Sequence, residues 1–406
     1  MGLVVQKFGG SSVGDVQKIK NVARRILDEY KKGNSMVVIV SAMGKTTDDL
    51  IKLAKEINPN PPAREMDALM ATGEKVSAAM MAMAIAAEGI GAVSLTGQQA
   101  GVFTETVHNK ARILEIDPER IEKELARSRV VIVAGFQGIN EYGDITTIGR
   151  GGSDTSAVAI AAALKADYCE IFTDVDGVYT ADPFEVKGAR KLSEISYEEM
   201  LELASLGAGV LHPRAVEVAQ FHNVVIHVRS SFNNNQGTFV KEANKMERKK
   251  AVTGVAHDKD VAKITIYAMP DKPGTAGKLF SKLGEAKINV DVIVQSSHQQ
   301  QNTNDITFTV PRGDLDQALK ITEALSKEVG AGGVNSDAKV SKVSIVGVGM
   351  ISTPGVAAKM FATLGSAGVN IDLISTSEIK VSCVVAEKDV DKAVQAVHDA
   401  FELEKE

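Results

Sequence analysis

Short apolar runs alternate with amphipathic stretches from residue 3 to about residue 232. The runs are rich in Val and Ile and predict strands at Leu3–Phe8, Met36–Ser41, Ala92–Thr96, Val130–Phe136, Tyr168–Thr173 and Val224–Val228. The stretches between them predict helices at Val16–Lys31, Arg64–Ala87, Pro118–Arg127, Ser156–Lys165 and Tyr197–Leu206. This alternation indicates an α/β fold with a mainly parallel sheet covered on both faces. Ligands of such sheets bind at the carboxyl ends of the strands, so the loops after strands are the candidate sites.

The last third of the chain repeats one pattern. Residues 263–297 and 342–378 each carry an apolar strand, a Pro-Gly turn, an amphipathic helix and a second strand. Matched pairs include Pro273 with Pro354, Gly274 with Gly355, Ala276 with Ala357, Asn289 with Asn370, Asp291 with Asp372, and Ser296 with Ser377. A unit this short cannot bury its sheet face alone, so we expect the copies to pack on each other or on a second chain.

A polar segment separates the two patterns. Residues 241–250 read KEANKMERKK, which is typical of an interdomain linker. We therefore predict a first domain over residues 1–240, a linker over 241–262, and repeat domains over 263–337 and 338–406. Met246 lies within this segment, and we predict that a shorter product starting there assembles with the full chain, although an ordinary linker methionine is an equally good interpretation.

Composition narrows the class of protein. The chain has 406 residues, 44% of them hydrophobic and 24% charged, and a net charge of -6, which gives no electrostatic footprint for nucleic acid. The longest apolar stretch, Ala78–Ala87, is too short to span a bilayer, so we expect a buried helix and no membrane partner. The two cysteines, Cys169 and Cys383, fall in different predicted domains, which favours a reducing cytoplasm over a disulfide.

The first strand runs into a loop suited to phosphate. Gly9 and Gly10 let the backbone approach a ligand closely, Lys7 adds a positive charge, and Ser11 adds a hydroxyl. The lysine precedes the glycines, so this is not a Walker A loop. A plain glycine turn between strand and helix explains the same residues equally well.

Two further loops combine glycine, hydroxyls and a cation. The second strand ends in SAMGKTTD, where Thr47 or Asp48 could simply cap a helix that begins at Asp49. The loop TIGRGGSDT precedes the predicted helix Ser156–Lys165, and the positive end of that helix attracts anions. Arg150, among three glycines, offers a planar fork for carboxylate or phosphate, whereas Asp154 is explained by capping alone.

A fourth loop, TDVDGVYTADP, follows the predicted strand Tyr168–Thr173. Its Asp-x-Asp-Gly suggests a calcium loop, but Tyr179 occupies the sixth position, where glycine is required, so calcium is rejected. Hydroxyls, acceptors and one aromatic ring suit a nucleotide base and ribose better, with turns at Asp176-Gly177 and Asp182-Pro183. The sequence shows no spacing of ligands for a dedicated metal site.

Together these residues carry a family resemblance. KFGGSS, SAMGKTTD, ATGEKVSAA around Glu74, GRGGSD and TDVDGVYTADP occur in this order before two ACT-like repeats. The chain resembles the monofunctional bacterial aspartate kinases over essentially its full length. The resemblance implies a three-layer αβα amino-acid-kinase fold followed by two α+β, ferredoxin-like ACT domains. It also implies transfer of phosphate from ATP to L-aspartate, the first step toward lysine, threonine and methionine.

The resemblance also assigns roles to residues. Lys7, Arg150 and Asp154 are expected to be catalytic. The expected aspartate-binding residues are Ser41, Thr47, Glu74, Arg150, Gly151, Gly152 and Ser153. The expected ATP-binding residues are Lys7, Gly9, Gly10, Ser11, Thr173, Asp174, Tyr179 and Asp182. Magnesium is expected to arrive with ATP.

The repeats imply feedback inhibition by lysine, threonine or both, through effectors bound between ACT units. The expected effector-binding residues are Asp271, Gly274, Ala276, Asn289, Val290, Asp291, Gln295, Asn370, Ile371, Ser377 and Glu378. A homodimer or tetramer assembled through the ACT domains is expected. Two alternatives stay open from the sequence: a catalytically silent amino-acid sensor, and a kinase for glutamate, acetylglutamate or a nucleoside monophosphate.

Overall fold

The computed structural model describes residues 2–243, 250–298 and 302–405. Their contacts divide the chain into two units. The first comprises Met1–Val178, Lys191–Ser205 and Gly209–Lys245, and the second comprises Tyr179–Arg190, Leu206–Ala208 and Met246–Glu406. The predicted first domain, 1–240, is therefore too inclusive, because two short segments within it belong to the second unit. Met246 lies outside the described residues, so the prediction of an internal start stays a prediction.

The first unit contains twelve strands and seven helices among its described residues. In chain order they are β1 (Leu3–Phe8), α1 (Val16–Lys31), β2 (Ser35–Val40), α2 (Thr46–Ile57), α3 (Ala63–Ala86), β3 (Ala92–Leu95), β4 (Val102–Thr104), β5 (Ile113–Ile116), α4 (Glu119–Leu125), β6 (Val130–Ala134), β7 (Gln137–Ile139), β8 (Ile145–Thr147), α5 (Gly152–Ala163), β9 (Tyr168–Thr173), β10 (Glu194–Ser196), α6 (Tyr197–Ser205), α7 (Pro213–His222), β11 (Ile226–Ser230) and β12 (Thr238–Lys241).

Eight of these strands form one sheet in the order β10-β12-β11-β9-β1-β2-β6-β3. Every neighbouring pair is parallel except β11 with β12, so the predicted mainly parallel sheet is confirmed. The central strands are buried on both faces, and Phe8 stacks on Phe172 with ring centroids 4.6 Å apart. The carboxyl ends of β1, β2, β6 and β9 consequently meet at one edge.

A second, four-stranded sheet has the order β5-β4-β7-β8. The sequence did not predict it, because strands of three or four residues are too short to show an alternating pattern. Thr104 in β4 and Thr146 in β8 join through their hydroxyls at 2.5 Å. This sheet delivers the end of β8 and the β4–β5 loop to the candidate site.

Helix α3 is long and apolar enough, by length and composition alone, to cross a membrane. Its apolar side instead packs in the core of the first unit, where Met81 and Ile85 are fully buried beside β2 and β6. The same helix buries two carboxylates, Asp67 and Glu74. The prediction of a buried helix is confirmed for one side of α3 only, because Met83 on the other side is 69% exposed.

The second unit is built from two copies of one βαβ pattern. Its elements are β13 (Gly254–Pro270), α8 (Thr275–Glu285), β14 (Ile293–His298), β15 (Thr303–Val310), α9 (Leu315–Val329), β16 (Gly333–Val346), α10 (Val356–Ser366), β17 (Ile371–Thr376), β18 (Lys380–Ala386) and α11 (Val390–Ala400). Six strands form one sheet in the order β14-β15-β13-β16-β18-β17. The expectation that the copies pack on each other is confirmed.

The long strands β13 and β16 interleave the two repeats. The first part of β13, Gly254–Asp258, pairs with Val346–Lys342 of the second repeat, whereas residues 261–267 pair with 340–333 and also with β15 of the first repeat. The sheet of the second repeat is thus completed by a strand that precedes the first repeat in the chain. The linker predicted over 241–262 is too long, because residues from Gly254 onward are already strand.

Candidate active site

A cavity of about 600 Å³ opens at the edge where β1, β2 and β6 end. Its lining joins loops that lie far apart in the sequence. Ten predicted residues line it: Lys7, Gly10, Ser41, Thr47, Glu74, Arg150, Gly151, Gly152, Ser153 and Asp154. The lining also includes residues that sequence reasoning missed, namely Met70, Asn109 and Phe136.

Lys7 and Asp154 form an ion pair inside this cavity. The Lys7 ammonium lies 2.6 Å from the Asp154 carboxylate, and the two side chains are only 11% and 13% exposed. Asp154 lies in the first turn of α5, which begins at Gly152 and not at the predicted Ser156. Asp154 is therefore not the cap residue of this helix, and capping does not explain it. The cap position is Gly151, without a side-chain cap bond. The pair therefore fixes the cation at the end of β1.

The loops after β1 and β2 touch through their backbones. Gly44 donates to the Gly10 carbonyl at 3.1 Å, and a Cβ on Gly10 would stand 2.8 Å from the Ala42 carbonyl. Only glycine permits this approach, so the Gly-Gly turn and the phosphate-binding hypothesis are compatible. Helix α2 begins at Thr46 without a side-chain cap bond, so Thr47 and Asp48 lie within its first turn and both line the cavity.

Glu74 places a buried carboxylate beside these loops. It is 3% exposed, and its Oε1 accepts a hydrogen bond from the Ala42 amide at 3.2 Å. Within the described part of the chain, its Oε2 is buried without a partner. Burial raises the pKa of Glu74 to about 7, despite the bond from Ala42. An unsatisfied acceptor facing a cavity suits a ligand that brings a cation.

The Arg150 loop is held from outside the cavity. Gly151 has a left-handed φ of 67°, and a Cβ there would stand 2.1 Å from the His212 ring. Arg214 donates to the carbonyls of Ile148 at 2.6 Å and Ala111 at 3.0 Å. Arg150 itself is exposed at the cavity, so its guanidinium is available to an anionic ligand.

The remaining predicted nucleotide residues do not line this cavity. Gly9 donates to the Phe172 carbonyl at 3.4 Å, while Ser11 is exposed on the same loop. Thr173 ends β9, and its hydroxyl donates to the carboxylate of the next residue, Asp174, at 2.9 Å. Tyr179 and Asp182 belong to the second unit and are described there. Their nucleotide-binding role stays a prediction.

The segment that contains Tyr179 and Asp182 packs within the second unit. Thr180 hydrogen-bonds the buried His398 ring at 3.0 Å, and its carbonyl accepts from the Val255 amide at 2.7 Å. Ala181 and Val186 join the apolar core of the second repeat. The continuation of the fourth loop is therefore structural as well as a candidate for nucleotide contact.

A second cavity, of about 280 Å³, lies at the start of α8 in the first repeat. It is lined by Asp271, Gly274, Ala276 and Gln295, all predicted for effector binding, and by Asn304, which was not predicted. Asn304 is 4% exposed, donates to Asp271 at 2.9 Å, and leaves its Oδ1 buried without a described partner. Gly274 precedes α8 with φ of 89° and no side-chain cap. The Thr275 amide donates to the Lys272 carbonyl at 3.3 Å, so the amides of Ala276 and Gly277 are the first-turn donors left for a carboxylate.

The other predicted effector residues do not line this cavity. They are Asn289, Val290, Asp291, Asn370, Ile371, Ser377 and Glu378. Asp291 pairs with Lys342 of the second repeat, and Asp372 pairs with Lys263 of the first repeat at 2.6 Å. The first of these pairs engages Asp291, one of the expected effector-binding residues. An effector at Asp291 would therefore have to displace a lysine.

Comparison with known proteins agrees with this geometry. The model of the amino acid kinase family matches residues 2–230, and an ACT domain model matches residues 264–325 and 343–401. The chain is 52% identical to an aspartokinase of Bacillus sp. (strain MGA3) over 403 residues, which cover 99% of this chain and 98% of that one.

Solved structures extend the likeness to the fold. E. coli aspartokinase III, in complex with aspartate and ADP in an R-state, is 25% identical with a TM-score of 0.79, covering 98% of this chain and 99% of that chain. Its T-state complex with lysine and aspartate has a TM-score of 0.77 at 25% identity and the same coverage. The family model over residues 2–230 and the 52% identity over almost the whole of both chains show the family, and this protein belongs to the aspartokinases.

Proposed function

We propose that this protein phosphorylates the side-chain carboxylate of L-aspartate with ATP, giving ADP and 4-phospho-L-aspartate. The observation that carries the proposal is the single cavity shared by the Lys7–Asp154 pair, Arg150 and Glu74. Aspartate carries two carboxylates and one ammonium. In this cavity Lys7 and Arg150 can meet the carboxylates, and Glu74, whose Oε2 has no described partner, can meet the ammonium. The solved relative that holds aspartate and ADP supports the same choice of substrates.

In the proposed mechanism, Glu74 accepts the substrate ammonium and Arg150 clamps the α-carboxylate. The β-carboxylate oxygen then attacks the γ-phosphorus of ATP, a new O–P bond forms, and the bond to the β-phosphate oxygen breaks as ADP leaves. Lys7, held by Asp154, neutralises charge on the transferring group, and the Gly10 amide donates to it. Thr47 and Ser153 fix the substrate between these groups.

Magnesium is proposed to enter with ATP. Among the described residues no cluster of three or more His, Cys, Asp or Glu side chains could hold a metal, and Asp154 is the nearest cavity carboxylate to Lys7. This donor set fits an ion bound mainly by phosphate oxygens and water. When bound, it would screen the phosphate charge that Lys7 also meets. Thr173 and Asp174 are proposed to hold the adenosine.

We further propose that lysine, threonine or both inhibit the enzyme from the cavity at the start of α8. Free helix-start amides suit the effector carboxylate, and Asp271, Gln295 and Asn304 offer oxygen acceptors for its ammonium. The lysine complex of the solved relative supports an amino-acid effector. We also propose assembly through the ACT repeats and a cytoplasmic location, both consistent with the family.

The decisive assay follows ADP release with L-aspartate and traps the acyl phosphate with hydroxylamine. We expect turnover with aspartate and none with glutamate, acetylglutamate or a nucleoside monophosphate. Turnover with one of those instead would replace the proposed substrate, and no turnover with any of them would favour a silent sensor. Lysine and threonine titrated singly and together then test the regulatory part.

A further inference from the structure

Asn109 lies in the wall of the active-site cavity although no motif marks it. It follows β4 in the loop that reaches β5 and lines the same cavity as Glu74 and Arg150. Its φ of 67° is left-handed, a conformation that asparagine tolerates better than most residues. The hydrogen bonds that the structure describes for Asn109 are made by its backbone amide, which leaves the carboxamide for a ligand.

A buried carboxylate fixes this position. Asp67, on α3, is fully buried and accepts from the Asn109 amide at 3.0 and 3.1 Å. It also accepts from the Thr147 hydroxyl at 2.5 Å and contacts His108 Nδ1 at 2.8 Å. One carboxylate therefore ties α3, the β4–β5 loop and the end of β8 together.

The same cluster reaches the root of the Arg150 loop. Thr147 accepts from the Ala111 amide at 3.0 Å, and a Cβ on Gly149 would stand 2.9 Å from the Asn109 carbonyl. Asn109 and Arg150 are consequently held in one piece of structure on the same side of the cavity. Since Arg150 is proposed to clamp the α-carboxylate, the Asn109 amide group is placed to donate to that carboxylate too.

We propose that Asn109 is a specificity-determining residue that donates to the α-carboxylate of aspartate, and that Asp67 is a positioning residue which holds Asn109 there. The proposal rests on the proposed substrate. It adds a second donor to the α-carboxylate. Asn109 gives a neutral hydrogen bond, whereas Arg150 compensates the negative charge.

The test compares Asn109→Ala and Asn109→Gly with Asn223→Ala. Asn223 also has a left-handed φ, of 53°, but ends α7 and lines no part of the cavity, so it controls for backbone strain. We expect the aspartate KM to rise roughly 10-fold or more in both Asn109 variants, with the ATP KM and the melting temperature close to those of the control. An unchanged aspartate KM, or equal rises for both substrates, would overturn the specificity role.

An analogue separates this result from failure of the proposed function. The parent enzyme should prefer aspartate to its 1-amide, in which the α-carboxylate is replaced, and this preference should shrink in Asn109→Ala. If the parent turns over neither compound, the proposed function fails. If it uses aspartate and its preference is unchanged by the substitution, only the Asn109 assignment fails.

The positioning role is tested by a double-mutant cycle. Asp67→Asn keeps the size of the side chain but replaces one acceptor oxygen by an NH2 group, which cannot accept from the Asn109 amide or the Thr147 hydroxyl. We therefore expect the aspartate KM to rise while the ATP KM stays constant. Combined with Asn109→Ala, it should add less than its separate effect, because Asp67 acts through Asn109. His108→Ala, which removes one partner of Asp67, serves if Asp67→Asn does not fold. Full additivity in either cycle would overturn the positioning role.

Discussion

Replacing Glu74 by Gln should separate the binding role of this carboxylate from its effect on stability. Burial raises the pKa of Glu74 from 4.5 to about 7. The folded state therefore binds this proton more tightly than the unfolded state does. The resulting stability is fully present below about pH 4.5 and is lost as the pH rises to about 7. At 1.36 kcal/mol for each pKa unit, the loss approaches ~3 kcal/mol.

Urea unfolding of parent and Glu74→Gln at pH 5 and pH 8 measures this loss. A Gln side chain cannot ionise, so the variant should gain about 2–3 kcal/mol relative to the parent between the two pH values. Comparing the pH values cancels any pH-independent cost of the amide. If the parent and the variant differ by the same free energy of unfolding at both pH values, burial does not raise the pKa of Glu74 and the argument is refuted.

A second buried glutamate, Glu170, provides a control, because its pKa is shifted in the opposite direction to that of Glu74. Burial alone would raise the pKa of Glu170, but hydrogen bonds from His227, Gln6 and Arg229 outweigh it and lower the pKa. Glu170→Gln should therefore become less stable than the parent as the pH rises from acid to neutral, because the parent gains the stability of its ionised carboxylate.

The kinetic counterpart follows from the proposed ammonium contact. The aspartate KM of the parent should rise as the pH falls below 7, because Glu74 takes up a proton and loses its charge. In Glu74→Gln the aspartate KM should be high and nearly independent of pH over this range. A parent KM that is flat from pH 6 to pH 8 would remove Glu74 from the ammonium site.

Three further substitutions test the remaining assignments. Lys7→Ala should lower kcat roughly 10²–10³-fold with little change in the aspartate KM, and near-normal turnover would exclude Lys7 from phosphoryl transfer. Arg150→Ala should mainly raise the aspartate KM, since the fork contacts the substrate before reaction; a change in the ATP KM alone would assign Arg150 to the nucleotide. Asp271→Ala and Gln295→Ala should each weaken inhibition by lysine or threonine, by a coupling of roughly 1–3 kcal/mol, at unchanged uninhibited kcat. Inhibition equal to that of the parent in both would rule out the cavity at the start of α8.

Residues on loops that directly follow strands could be predicted, because glycine, hydroxyl and cation stand together in the sequence. Gly10 and Arg150 are examples, and both line the cavity. Asn109 could not be found this way. It follows a three-residue strand, and its partner Asp67 lies 42 positions away on a helix whose pattern reads only as buried. Their relation exists only after the second sheet has formed.

The pairing between β13 and β16 could not be predicted from the sequence either. Residues 254–258 carry little local signal and follow a polar segment, so the sequence predicts a linker there, yet they pair with residues 346–342. Similarly, Asp291 and Asp372 stand at matched offsets that suggested an effector, and each instead meets a lysine of the other repeat. Repetition in a sequence shows that two units are alike, but it does not show which strands they exchange.

Strand β13, which pairs with both repeats, also determines the order in which they can fold during synthesis. Gly254–Asp258 leaves the ribosome well before its partners Val346–Lys342, and the whole first repeat is synthesised between them. Until then this strand presents an unpaired edge, the kind that attracts wrong partners during synthesis. The first repeat can assemble early around α8 and α9, whereas the second must wait until β18 and α11 have been synthesised. A premature stop before residue 342 would therefore leave Gly254–Asp258 without its partner, so the loss would expose an edge at residue 254 as well as remove the second repeat.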